Sequence, residues 1–431
     1  MARAARSPQG KDSDAPMTRP GQDAELEQLR TVDQADVFKA GWYAATLTRT
    51  PDGVEFRYLD DWIAADGPPV ATTLPVTAEP VLRPGGALPA YFAGLLPEGR
   101  RLGALRRAVK TSADDELSLL LAVGADAVGD VQVVPAGTTP AEVPAQVAIE
   151  EIGAVSFADL LAELGIHAQR TALPGIQEKT SAAMINLPVA RAGERYILKL
   201  NPAEFPRLVE NEKFFLDAAR TSGLTVPPNE LVTDANGSAG LLIQRFDRIT
   251  VDGVLTLLAV EDGCQVQDRP PADKYRLGAD ATFGALASVC QASAVASRDL
   301  IRQLAFAYLT GNGDAHAKNF SVLQGRDGEW RVSPAYDTPS SYPYGDTTMA
   351  LSIGGRSGGD FGAADFVALG DRLGVPQRAV HRILADLTER AGSWIGDLPE
   401  LPFDKGKVAK LRRVIAYRLR RLSTRPATKP R

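Results

Sequence analysis

The sequence predicts an α+β fold, with a β-rich N-terminal subdomain followed by two lobes of which the second is mainly helical. Three observations carry this reading. Gly41 to Leu59 holds two strand-like runs about a turn, Met184 to Phe246 alternates strand-like and helical stretches, and Thr282 to Leu309 is helical in pattern. Alternation of the second kind favours an α/β or α+β core. With 431 residues, 44% of them apolar, the chain is long enough for two or three domains and a sizeable core.

Residues 1–25 are rich in Pro, Gly, Asp and Arg without periodicity and read as a disordered tail, with folding expected to begin near Leu26. In Thr50-Pro51-Asp52-Gly53 the proline presets φ and the glycine tolerates a positive one, so the flanking runs pair as a hairpin. Leu95 to Arg100 leads into a helical stretch, and Leu117 to Val134 is apolar, punctuated by Gly124 and Gly129; a first subdomain therefore spans 26–134. Pro135 to Ala148, with three prolines and two threonines, reads as a linker within 135–150. In 151–281, Met184–Leu187, Tyr196–Leu200 and Gly240–Phe246 are strand-like, and Leu208–Ser222 is a helix offering Val209, Phe214, Phe215 and Ala218 for burial. This resembles a kinase N-lobe. The remainder, 282–431, is the helical lobe, in which Gly311-Asn312-Gly313 stops a helix just before Asp314. No internal repeat is evident.

Composition narrows the function classes. No run of eighteen apolar residues occurs and the N-terminus lacks the apolar stretch of a secretory signal, so a cytoplasmic protein without membrane contact is expected. Cys264 and Cys290 sit in no disulfide framework or zinc spacing and read as small buried hydrophobes. Residues 405–431 carry eleven Lys or Arg and no Asp or Glu, so against a chain total of −5 the first 404 residues stand at −16. Such a tail suits nucleic acid or an acidic partner. Equally, Val408, Leu411, Ile415, Leu419 and Leu422 recur at helical spacing, which makes the basic residues the solvated face of an amphipathic helix.

The chemistry rests on one constellation. Phosphoryl transfer needs a carboxylate to orient and deprotonate a hydroxyl, and an Asn and an Asp to hold magnesium on phosphates. Asp314 and Asn319 have the D-x-x-x-x-N spacing that puts base and metal ligand on one tight loop. That spacing is not specific by itself, so its surroundings matter. Phe320–Leu323 and Trp330–Ser333 flank Gly325-Arg326-Asp327-Gly328, a hairpin that would return Asp337 beside Asn319. Asp360, in Gly359-Asp360-Phe361-Gly362, competes for the second metal role, but it follows a glycine-rich run that is costly to fix in place. Lys199 is a charge within an apolar strand: either an edge lysine reaching water, or a phosphate clamp partnered by Glu210 or Glu212. The Asp314 loop downstream favours the clamp. Pro174-Gly175-Ile176-Gln177-Glu178-Lys179-Thr180 resembles a phosphate-binding loop without the second Gly of a Walker A sequence. His316, two residues after Asp314, reads as part of the catalytic loop rather than a satisfied core histidine.

Taken in order, these segments resemble the HipA family of toxin–antitoxin kinases over most of the chain. Leu95-Leu96-Pro97-Glu98-Gly99-Arg100 and 117–134 are similar to the family's N-terminal domain. Pro174 to Thr180 matches its nucleotide loop, Ile197-Leu198-Lys199-Leu200 its ATP lysine, and Glu210-Asn211-Glu212 the helix that follows. Gln244-Arg245-Phe246-Asp247-Arg248 matches the segment whose backbone holds adenine. Glu261 to Gln265, Gly313 to Ser321 with Asp314, His316, Ala317, Lys318 and Asn319, and Pro334-Ala335-Tyr336-Asp337 complete the series. The resemblance implies a two-lobed, protein-kinase-like fold, ATP and Mg2+. It also implies a HipB-like helix-turn-helix antitoxin that binds operator DNA, and a protein substrate such as an aminoacyl-tRNA synthetase. The family commonly places a phosphorylatable serine where this chain has Ala172. Two other classes compete: a small-molecule kinase of aminoglycoside-phosphotransferase type, disfavoured by the N-terminal subdomain, and an inactive DNA-bound corepressor. The latter would have no physical need for Lys199, Asp314, Asn319 and Asp337 together.

Overall fold

The computed structural model describes residues 22–140, 149–163, 184–191 and 194–423. Its N-terminal part holds strands β1 (Gln34–Lys39), β2 (Trp42–Thr50), β3 (Gly53–Tyr58), β4 (Val81–Pro84) and β5 (Val131–Pro135), in one antiparallel sheet ordered β4-β3-β2-β1-β5. The expected turn at Thr50–Gly53 joins β2 to β3, with Thr50 opposite Gly53. Only glycine fits there: its φ is +148°, and a Cβ would lie 1.9 Å from the Arg83 carbonyl oxygen of the next strand. Helices α1 (Gln22–Gln28), α2 (Asp60–Ala64), α3 (Ala90–Gly94), α4 (Gly99–Val109) and α5 (Glu116–Val123) accompany this sheet. Val37, Leu47, Phe56 and Val133 pack with Phe92 of α3 and Leu120 of α5 in one core. The apolar stretch 117–134 is thus two elements, a helix and an edge strand. Helix α1 starts at Gln22, within the stretch read as a tail.

The second unit is a sheet of β6 (Ile185–Arg191), β7 (Glu194–Leu200), β8 (Asn229–Thr233) and β9 (Ala239–Gln244), ordered β6-β7-β9-β8. Strand β8 has no clean apolar alternation and is absent from the sequence expectation. Side chains alternate across the sheet. Leu198 and Leu200 face Phe157, Leu160 and Leu161 of α6 (Phe157–Glu163), whereas Leu241 and Ile243 meet Leu208, Val209 and Leu216 of α7 (Leu208–Thr221). Lys199 pairs in register with Asn186 on one side and Leu241 on the other, so its strand is central. The edge-lysine alternative is therefore overturned.

A ribbon of β10 (Arg248–Val251) and β11 (Val254–Leu257) leads to β12 (Val260–Asp262), which pairs with β13 (Ser321–Gln324) and, through it, β14 (Trp330–Val332). The pattern from Thr282 to Leu309 resolves into two helices, α8 (Ala279–Val289) and α9 (Ser293–Thr310), interrupted where Cys290 turns extended. Gly311, at φ +75°, ends α9 in the left-handed C-cap that glycine favours. Helices α10 (Ala363–Arg372), α11 (Gln377–Ala391) and α12 (Lys405–Leu422) close the lobe. Both cysteines are buried and free. No helix among the described residues is long and apolar enough to cross a membrane.

Helix α12 buries Val408, Leu411, Ile415 and Leu422 in the lobe's core, with Leu419 packed against it, as its periodicity implied. It also buries Arg418, which periodicity did not flag. This guanidinium donates to the Tyr308 carbonyl oxygen at 2.5 Å and stands 4.7 Å over the Tyr308 ring. Arg418→Met keeps the apolar stem but removes the donor, and is expected to cost about 2 kcal/mol of stability. Chemical denaturation measures this; an unchanged midpoint would show that the helix docks on its apolar face alone.

Candidate active site

Lys199 lies between Leu198 and Leu200 in β7, so the strand's alternation turns it to the α7 face. There its ammonium meets Glu212 Oε1 at 2.8 Å and pairs also with Asp337. Successive residues of α7 point in different directions, which separates the two candidate acids. Glu212 is fully buried against Lys199; Glu210 accepts from Asn201 at 2.9 Å instead. Asn211, between them, donates to the Ser340 carbonyl and accepts from its amide. Burial lowers the Lys199 pKa, but the carboxylates of Asp337 and Glu212 outweigh it and hold the ammonium's pKa above its usual value. Burial also pushes the Glu212 carboxyl upward, and the Asp337 charge adds to this against the pull of Lys199.

The hairpin β13–β14, registered as Val322 opposite Val332, returns the chain to its starting loop. Asn319 Nδ2 donates to Asp337 Oδ2 at 3.2 Å, and Asn319 Oδ1 accepts from the His316 amide at 3.0 Å. Asp337 adopts φ +50°, a left-handed conformation that Asp tolerates better than most residues, and its side chain remains 31% exposed. Asn312, overlooked in the sequence, ties both ends together: it donates to the Asp337 carbonyl at 2.9 Å and accepts the Asp314 amide at 3.1 Å. Its signal was its place between two glycines ahead of the loop. Asp314 is 3% exposed, and its Oδ1 accepts the Tyr275 hydroxyl at 2.8 Å. Burial, then the charge of Asp314, pushes the Tyr275 pKa well above normal, so the phenol stays a donor.

A cavity of about 490 Å³ opens beside this network, within the usual ~300–1,000 Å³ of small-molecule sites. Lys199, Gln244, Arg245 and Phe246 line it on one side, and His316, Lys318, Asn319, Tyr336 and Asp337 on the other. Asp314 and Ala317 are buried and are not among the residues that line it. Pro174, Gly175, Ile176, Gln177, Glu178 and Lys179 lie outside the described residues, as does Ala172. Phe246 and Tyr336 bring their rings to 5.8 Å at the segment matched to adenine binding. The Arg245 guanidinium is committed elsewhere: it donates to Asp247, Asp126 and the Ala127 carbonyl. Burial would raise the Asp247 pKa, but Arg245 and Arg248 hold it down to about 2. Sequence reasoning also missed the wall that Leu95, Leu96, Pro97, Glu98 and Arg101 contribute from the N-terminal part.

A central-strand lysine paired with a helix glutamate, facing an Asp–Asn loop and a returning aspartate, defines a kinase-like protein. The chain belongs to the HipA family: the HipA N-terminal domain is matched over residues 35–134 and the HipA-like C-terminal domain over 171–395. It is 30% identical to "Putative kinase Y4mE" of Sinorhizobium fredii, over 88% of this chain and 96% of that one. It is 26% identical to "Serine/threonine-protein kinase toxin HipA" of Shewanella oneidensis, over 83% of this chain and 87% of that relative. The Shewanella oneidensis HipA structure, solved with HipB and its operator DNA, superposes with a TM-score of 0.75 at 20% identity, covering 90% of this chain and 97% of that one. This likeness shows the two-lobed, kinase-like α+β fold.

Proposed function

We propose that the chain is an ATP- and magnesium-dependent serine/threonine protein kinase and the toxin of a HipA/HipB-type pair. The observation that carries this is the linked set Lys199–Glu212–Asp337–Asn319, in which Lys199, Asp337 and Asn319 line the cavity and Glu212 is buried behind Lys199, with Asp314 on the Asn319 loop. Carboxylate and amide oxygens from Asp337 and Asn319 suit a hard divalent cation, and Asp337 keeps part of its side chain open to the cleft. Magnesium, when bound, neutralises charge on the phosphates. Lys199 would offer its ammonium to the nucleotide phosphates, Glu212 would hold that side chain in place, and Asp314 would take the proton of the attacking hydroxyl. Gln244 to Phe246 would present backbone to the base, and the phosphates are assigned to Pro174–Lys179, which lie outside the described residues. An acidic body with a basic C-terminal helix fits operator DNA reached together with a HipB-like antitoxin; Lys405, Lys407, Lys410, Arg412 and Arg413 of α12 are exposed. An aminoacyl-tRNA synthetase is the protein substrate this reading favours. Incubating the chain with radiolabelled ATP and cell extract tests it: labelled protein supports the proposal, labelled small molecule supports an aminoglycoside-type kinase, and no transfer supports the corepressor.

Two further outcomes follow from this reading. Lys199→Met should weaken ATP binding about tenfold, roughly 1.4 kcal/mol. It should also destabilise the fold, because Glu212 and Asp337 lose their shared cation. Calorimetric titration and thermal melting measure both, and unchanged affinity would return Lys199 to a purely structural role. With Ala172 in place of serine, self-inactivation is expected on Thr171, Thr180 or Ser181, or not at all. A phosphate there, nearly doubly charged, would repel those of ATP. Intact-mass measurement after ATP incubation, with the site then mapped, decides; stoichiometric phosphate outside 171–181 would sink the idea.

A further inference from the structure

The start of α4 reaches across the cleft in both directions. Arg100 pairs with Glu204, in the segment joining β7 to α7, at 2.6 Å. Glu98, two residues earlier, turns the opposite way: it pairs with Lys274 and lies 3.5 Å from Lys318. Lys318 belongs to the Asp314–Asn319 loop. Its ammonium also meets Asp262 at 3.0 Å and donates to the Gly94 carbonyl of α3 at 2.9 Å. The other partner, Lys274, belongs to the segment that cradles the same loop from beneath. Its carbonyl accepts the Ala317 amide at 3.3 Å, and the adjoining Tyr275 hydroxyl donates to Asp314. One carboxylate from the N-terminal subdomain therefore joins the loop to its cradle.

We propose that Glu98 is a positioning residue for phosphotransfer, holding the Asp314–Asn319 loop in place through Lys318 and Lys274. This rests on the kinase reading above. The physical reason is charge balance. Two ammonium groups, Lys274 and Lys318, converge with two carboxylates, Glu98 and Asp262, where side chains are 10% and 13% exposed for the lysines and 31% and 11% for the acids. At such burial, attraction and repulsion are much stronger than in water. Neutralising Glu98 leaves two cations facing one anion, and their repulsion separates the loop from its cradle. The N-terminal subdomain is then a working part of the catalytic unit rather than a passive appendage.

The test compares the full chain with Glu98→Gln and Arg100→Gln. Both cut a link of the same segment, but only the first touches the loop. Hydrogen exchange over 312–320 should speed up about tenfold in Glu98→Gln, about 1.4 kcal/mol of local opening. Its kcat should fall by a similar factor, with the KM for ATP within about twofold. Arg100→Gln should leave loop exchange and kcat within about twofold. Unchanged loop exchange in Glu98→Gln, or equal changes in both variants, would reduce Glu98 to a docking contact and overturn the proposal. Thermal melting checks both folds. If the isosteric Glu98→Gln melts early, Glu98→Asp keeps the charge, shortens its reach and is judged by the same two readings. Should the wild type transfer no phosphate while the exchange pattern holds, the link stands and the kinase reading alone fails.

Discussion

Asp314→Asn is expected to slow phosphate transfer by about 100- to 10,000-fold while leaving the fold and ATP binding intact, the usual scale for removing a general base. The surroundings of Asp314 explain why the loss should be confined to chemistry. The residue is 3% exposed, its amide is bound by Asn312, and its Oδ1 accepts the Tyr275 hydroxyl. An asparagine matches its volume and still offers an oxygen to Tyr275, so position is kept and only the proton acceptor is lost. Asp314 does not line the cavity that Lys199 and Asp337 share, so nucleotide affinity should be untouched. Initial rates of labelled phosphate incorporation, with ATP affinity measured separately, provide the check. A fully active variant would remove Asp314 from the mechanism.

Asp337→Ala should abolish magnesium-dependent transfer, whereas Asp360→Ala should retain most of it. The two aspartates compete on paper because Asp360 stands in a D-F-G tripeptide. Their environments differ completely. Asp337 touches both Lys199 and Asn319 at the cleft. Asp360 has a side chain 68% exposed and accepts from Tyr417 of α12 at 2.8 Å, with Arg421 at 3.4 Å. It anchors the C-terminal helix, and exposed pairs of this kind contribute about 1 kcal/mol or less. Because Asp337 has a positive φ, alanine there adds about 1 kcal/mol or more of backbone strain. Asp337→Asn, which tolerates that conformation, separates strain from lost ligation: it too should be inactive. Kinase rates across a magnesium titration distinguish the two sites, and the reverse pattern would exchange their roles.

Much of this site was readable in one dimension because its parts are local. The D-x-x-x-x-N loop needs only five residues of separation. A hairpin with a glycine-bearing turn returns Asp337 to Asn319 whatever the rest of the chain does, and Lys199 stands out as a charge in an apolar strand. The ordered series of such segments also carries the family resemblance and the two-lobed fold. Hydrophobic period likewise marks α7 and α12, since a helix must bury one face.

What the sequence could not decide are the contacts made across long separations. Strand β8 earns its place only by pairing with β9. The centrality of Lys199 depends on two neighbouring strands, and the choice of Glu212 over Glu210 depends on which way α7 lies against the sheet. Tyr275 reaches Asp314, and Glu98 reaches Lys274 and Lys318, across gaps that leave no trace in spacing. Local pattern by itself determined the loop, the hairpin, a lysine within an apolar strand and the helix faces. Tertiary structure alone decided which charges meet, because a buried ion is stable only where packing delivers its partner.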